Sequence, residues 1–164
     1  ESLSKIHKTA YLGIDTSCAP GLGRGDSVMR GFDLLKNKTH ADYLSIAGLV
    51  TDSAKSVNVK RVGYCGLMLP VCEDISLAEK CDKDEMTIER ILLLSTVCGC
   101  GLDTIPVSGK IGRERVRAIL LDTATLSRKL HKPLSVRLLP MKGLNKKAKT
   151  NFRSQYLVDC KIME

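Results

Sequence analysis

Tyr11-Leu-Gly-Ile-Asp15-Thr-Ser17 and Cys98-Gly-Cys-Gly101-Leu-Asp103-Thr-Ile-Pro106 decide how this chain is to be read. Each couples a short apolar run to an aspartate with hydroxyls beside it. An apolar run suits a buried strand, whereas an aspartate at its end requires water, a cation or a hydrogen-bond donor. A fold that aligns several such strand ends builds a polar site on an apolar floor. The repeat of this arrangement points to a small-molecule site and leaves the reaction open.

Working outward, residues 10–15 read as a strand ending at Asp15. Cys18-Ala-Pro-Gly-Leu-Gly-Arg-Gly25 reads as a loop, because its glycines and proline oppose regular structure. Asp26 and Ser27 stand where a helix over about 27–36 needs its cap. Thr39-His-Ala-Asp42 matches a capping box, and Leu44, Ala47, Gly48, Thr51 and Ala54 follow at helical spacing. Residues 61–69 read as a strand running into Pro70, with Ser76-Leu-Ala-Glu79 as a second box. Residues 87–97 are apolar nearly all round and read as a buried helix, and 102–107 as a short strand. The clearest helix is 113–130, where Val116, Ile119, Leu120, Thr123, Leu126 and Leu130 form one stripe. Lys132-Pro133 ends it, 134–139 is a strand, and 156–163 is a last one. Strand and helix alternate, and several strands have few polar residues on either side. The expected fold class is therefore α/β, a parallel or mixed sheet with covering helices. The strands carry more apolar surface than these helices can cover. Residues 1–164 are thus expected to form one α/β domain within a larger barrel or sheet, completed by another part of the same protein or by a second subunit.

With 164 residues the chain is long enough for a real core. Phe32 and Phe152 are its only phenylalanines and it has no tryptophan, so Leu, Ile and Val must do the packing. No stretch approaches the roughly 18 consecutive apolar residues of a membrane span, and Glu1-Ser-Leu-Ser lacks a signal-peptide core. A cytoplasmic location away from membranes is expected. The seven cysteines are odd in number, and Cys65, Cys72, Cys98 and Cys160 have apolar neighbours. They read as buried, inert thiols. Cys98-Gly-Cys100 has one intervening residue, not the two of a redox or zinc pair. The net charge of +8 collects at 55–61, 113–117 and 142–153. Only the last run is dense, and it lacks the aromatic platform of single-strand binders. A solvated loop is its first reading, anion or phosphate binding the second, and nucleic-acid recognition a distant third.

Asp15 with Thr16 and Ser17 offers a carboxylate and two hydroxyls, a set that holds a hard cation or a polyol. On the competing reading Asp15 caps its own loop through backbone amides. Asp26 and Ser27 repeat the chemistry beyond the glycine loop, where helix capping is the better single explanation. Gly63 and Gly66 let a backbone or ligand come close. Beyond them Glu73 and Asp74 either join Asp15 in an acid–base cluster or face the positive end of a following helix. Gly101 permits the turn into Asp103-Thr104. The turn alone would not need the aspartate, which favours a functional role. Arg137, between Val136 and Leu138, must be paired by an aspartate or by an anionic substrate. The expected catalytic residues are Asp15, Glu73, Asp74 and Asp103. The expected substrate-binding residues are Ser17, Asp26, Ser27, Gly66, Gly101, Thr104 and Arg137. A divalent cation is the only cofactor these carboxylates suggest, and no ligand set is assigned to it. The competing class is a noncatalytic ligand-sensing or regulatory subunit that completes its sheet with a partner chain.

The same stretches resemble uncharacterised protein family 0210, also called domain of unknown function 711. The matching residues are Gly13-Ile-Asp-Thr-Ser17 with Pro20 and Asp26-Ser27, then Gly66-Leu-Met-Leu-Pro-Val71 with Glu73-Asp74. Val97-Cys-Gly99, Gly101-Leu-Asp-Thr104, Pro106 and Gly109 follow, then Leu121-Asp122, Leu126-Ser127, Lys132-Pro-Leu134, Arg137-Leu138 and Pro140. They run in order along nearly the entire chain. The resemblance implies the C-terminal part of a protein more than twice this length. It also implies an α/β barrel like that of pyruvate formate-lyase, whose strands come in two parallel halves. It does not carry over radical chemistry, because Arg61-Val-Gly63-Tyr64 lacks a residue of the glycyl-radical loop and lies mid-chain. The sequence departs from the family pattern in 142–152, where an expected Ala-Gly-Asp is missing, and at Cys160.

Overall fold

The computed structural model describes residues 2–164. Six helices and two strands follow in order: α1 (Ser2–Ile6), α2 (Val28–Thr39), α3 (Tyr43–Ser56), α4 (Ile75–Asp82), α5 (Ile88–Leu94), β1 (Gly101–Ser108), α6 (Arg113–Leu130) and β2 (Ser135–Met141). A single 3-10 turn, Val71–Glu73, precedes α4.

Strands β1 and β2 pair in parallel, from Gly101 opposite Ser135 to Ser108 opposite Met141. The connection between them is α6, the crossover that a parallel pair requires. Parallel bridges extend this pair sideways: Pro70 meets Asp103, Leu67 meets Cys18, and Arg61 meets Ile14. Two extended segments and two strands thus lie side by side, with helices against them. This is a mixed α/β architecture with parallel pairing, the class expected from the alternating pattern.

Three expected strands are not regular. Residues 10–15 and 61–69 touch through isolated bridges only. Gly63 and Cys65 both take left-handed backbone (φ +88 and +48), which interrupts a ladder on that segment. Residues 156–163 are likewise extended, held by one antiparallel bridge between Lys149 and Lys161. Two caps also differ from expectation. Asp42 and Asp74, not Thr39 and Ser76, cap α3 and α4, because a carboxylate accepts first-turn amides as well as a hydroxyl does. The helix expected over 87–97 is confined to Ile88–Leu94, with Thr87 as its cap.

The core lies between the extended layer and α2 to α5. Met29, Phe32, Leu67, Leu77, Ile91 and Ile105 are at most 1% exposed, each contributing about 1.5–3 kcal/mol through burial. All eight residues of β1 are buried, the polar Asp103, Thr104 and Ser108 among them, so these three must find hydrogen-bond partners inside the protein. Helix α6 buries only Ile119 and Thr123. Leu120 and Leu130 of the expected stripe are about half exposed, at 49% and 42%, as is Leu121. Part of the apolar face of α6 is therefore open.

Candidate functional site

The Pro70–Asp103 bridge sets the C-terminal end of the 61–70 segment beside the first residues of β1, and the β1–β2 register sets the first residues of β2 next to those. The 3-10 turn delivers Glu73 there, just past the end of the 61–70 segment. Strand β1 delivers Asp103 through an irregularity between Leu102 and Ile105 that shifts its register with β2. Thr104, inside that irregularity, has φ +45, a strained value for a β-branched residue. A bulge of this kind re-aims side chains. Asp103 turns to Arg137 on β2, and the Thr104 hydroxyl accepts from the Cys72 amide at 3.2 Å. Gly101 begins the bend at φ +94, and a Cβ there would overlap the Ser135 carbonyl.

Arg137 joins the two carboxylates. Its Nε donates to Asp103 Oδ1 at 2.5 Å and its terminal nitrogen to Glu73 Oε1 at 2.8 Å. The Asp103 side chain is 7% exposed, that of Glu73 32% and that of Arg137 53%. Asp103 is thus the buried anchor, and Glu73 and Arg137 face solvent. The hydrogen bond to Asp103, after which come the charges of Asp103 and Glu73, holds the guanidinium more firmly protonated than usual. In solvent such a triad adds little stability. It borders an open cleft of about 550 Å³ whose other walls include Pro20, Gly21 and Leu22 of the glycine loop, and Tyr156. The loop is closed on itself by the Gly21 amide on the Asp26 carbonyl, and Arg24 pairs with Glu79 of α4.

The other expected carboxylates lie elsewhere. Asp15 receives the Ser17 hydroxyl at 2.5 Å and the amides of Ser17, Tyr64 and Cys65 at 2.9–3.3 Å. The Ser17 hydroxyl is the main cause of its lowered pKa, opposed by the burial penalty that comes second and helped by the three amides behind it. From Asp15 the bridges at Cys18 and Pro70 imply a separation of about 20 Å from Asp103 along the strands. Asp15 therefore caps its own loop through the Ser17 amide and also clasps the 63–65 turn across the fold, a contact the sequence did not announce. Asp74, 1% exposed, accepts from the Ser27 hydroxyl and from the amides of Met29, Ser76 and Leu77. Ser27 in turn caps α2 through the Arg30 amide at 3.0 Å. Gly66 packs against the backbone of Gly99, where its missing side chain admits a neighbouring chain rather than a ligand. Asp26 is exposed in the loop turn.

These donor sets do not fit a divalent cation. The oxygens of Asp15 and Asp74 are taken by amides and hydroxyls, and the Arg137 guanidinium stands where a metal would join Glu73 to Asp103. Among the described residues no group of three or more His, Cys, Asp or Glu side chains is placed to hold a metal ion. The cysteines are all unpaired, and Cys18 alone is exposed. Burial raises the Cys98 thiol and pushes Cys100 up to about 12, so neither is an activated nucleophile. Sequence reasoning did not place Gly21, Leu22 and Tyr156 at the site. Tyr156, 71% exposed in a polar segment, is the kind of solvent-facing aromatic that signals a contact surface.

The family model described as Uncharacterised ACR (DUF711) matches residues 1–153. Among curated proteins, a UPF0210 protein of Pyrobaculum arsenaticum is 30% identical over 141 residues, 82% of this chain and 31% of that protein. One from Pyrobaculum aerophilum is 31% identical over 148 residues, covering 86% and 33%. One from Methanocaldococcus jannaschii is 29% identical over 137 residues, covering 79% and 30%. The chain spans about a third of the length of the curated relatives it matches. No solved structure matches it.

Proposed function

We infer that this chain, which belongs to the Uncharacterised ACR (DUF711) family, carries a small-molecule site in the cleft at its strand ends. The observation that supports this is the Arg137 guanidinium shared between Glu73 and Asp103 at the cleft wall. Glu73 is the carboxylate with access to a ligand, and in this reading it accepts or donates the proton. Asp103, from beneath, fixes the guanidinium plane, and Arg137 orients Glu73 while its exposed face receives ligand oxygens. The two carboxylates outnumber the one cation, so a polyhydroxylated ligand suits the site better than a dianion. Asp15, Ser17, Asp74, Ser27 and Thr104 act on the site through the backbone they hold. The half-exposed apolar face of α6 and the relatives' greater length support a sheet completed by the rest of a longer protein, or by a second copy, as half of a barrel.

The runner-up is a noncatalytic ligand sensor. It draws support from Asp15 and Asp74, whose engaged oxygens leave Glu73 as the one expected catalytic carboxylate that lines the cleft. A screen of polyols and sugar acids against wild type and Glu73→Gln separates the two. A catalytic Glu73 predicts turnover of a hit that the variant binds but does not convert. Binding without turnover by both proteins supports the sensor. No hit competing at this cleft refutes both.

A further inference from the structure

The basic segment 142–153 is not used by the strand-end cleft. It folds toward a second concavity, a partly open pocket of about 170 Å³. The floor is apolar: Cys81, Met86, Ile88, Ile162 and Met163 are each 1–7% exposed. The rim is basic, with Lys146, Lys147 and Lys161. Lys161 is matched to Asp84 at 2.5 Å, and the nearby Lys149 to Asp82 at 2.6 Å. Among the described residues, Lys146 and Lys147 make no ion pair. Both still lie close enough to Asp84 to help hold its pKa below the usual range, after the larger effect of the Lys161 hydrogen bond. Glu164 on the same rim offsets one of these charges.

The combination is selective. An apolar floor rejects a bare, fully hydrated anion, because filling it with water gains few hydrogen bonds. The exposed Lys146 and Lys147, which form no ion pair among the described residues, add attraction for an anionic head group that a neutral hydrocarbon cannot use. A volume near 150 Å³ is enough for one benzene ring, and drug-sized pockets begin at about 300 Å³. We propose that this pocket binds a small monocarboxylate with a compact apolar body, its carboxylate on Lys146 and Lys147 and its body against Met86, Ile88 and Met163. This site is independent of the strand-end cleft and of the reading given to it.

Benzoate is the probe. Titrated into the 164-residue protein, it is expected to shift the methyl resonances of Met86, Ile88, Ile162 and Met163 saturably. Resonances of the Tyr156 cleft should stay in place. Benzyl alcohol, of equal shape without the charge, is expected to bind at least tenfold more weakly, and inorganic phosphate is expected to leave these methyls unmoved. Replacing both exposed lysines, Lys146→Ala with Lys147→Ala, is expected to weaken benzoate at least tenfold. Unshifted floor methyls would overturn the proposal, as would equal binding of benzoate and benzyl alcohol. Wild-type affinity in the double variant would also overturn it.

Discussion

Replacing Asp74 by alanine tests how the candidate site is held. The carboxylate is 1% exposed and receives the Ser27 hydroxyl at 2.6 Å, the Met29 amide at 3.1 Å and the Ser76 and Leu77 amides at 3.0 Å. The first turns of α2 and α4 therefore end on one side chain, directly after Glu73. Alanine orphans three backbone amides, and each unsatisfied buried donor costs about 1–3 kcal/mol. Allowing for relaxation and entry of water, the variant should lose about 3–5 kcal/mol of a total that is about 5–15 kcal/mol. For a chain of this size that lowers Tm by about 10 °C. Asp74→Asn keeps one acceptor oxygen and should lose about 1–2 kcal/mol. Urea denaturation monitored by far-UV circular dichroism measures both. A loss below about 1 kcal/mol in the alanine variant would refute the double-cap reading, as would an asparagine variant no better than alanine.

Gly63→Ala should destabilise by about 1–3 kcal/mol in the same assay, because φ is +88 and the new Cβ overlaps Asp15; an unchanged midpoint would contradict the clasp. The Asp15 pKa is lowered by its donors, so its contribution is complete above the unfolded value of about 3.9. It is lost as pH falls through the lower folded value. The stability gap between wild type and Asp15→Asn should accordingly close in acid denaturation below about pH 4, and a gap independent of pH would contradict this. Of the seven cysteines, a thiol reagent should label Cys18 fast and the remaining six only on unfolding, since Cys18 alone is exposed. Rapid labelling of Cys98 or Cys100 would overturn their assignment as buried, inert thiols.

What was legible in the sequence depended on how local its cause was. Helix α6 announces itself through its apolar stripe and the Pro133 that follows, and it spans the expected 113–130. Strand β1 does so through Leu102, Ile105 and Val107, bounded by Gly101 and by Ser108-Gly109. The Arg137 pairing followed from one physical requirement, that a guanidinium in an apolar strand needs an anion. Asp103 meets that requirement. The 61–69 segment misled because its composition suits a strand while Gly63 and Cys65 take left-handed backbone, a choice imposed by the carboxylate of Asp15 across the fold. Asp74 reaches Ser27 over 47 positions of sequence, and no local pattern announces such a partner. Tyr156 and Leu22 border the cleft because of chain reversals, and their neighbours in sequence carry no sign of it.

The central claim is that ligand chemistry belongs to the cleft walled by Glu73, Arg137 and Tyr156. Amide chemical-shift mapping during titration with a polyol identified in the screen tests it most directly. Perturbations confined to Gly21, Leu22, Glu73, Arg137 and Tyr156, and abolished by Arg137→Met, are the predicted result. Perturbations centred on Asp15, Tyr64 and Cys65, with the Glu73 and Arg137 signals unmoved, would contradict it.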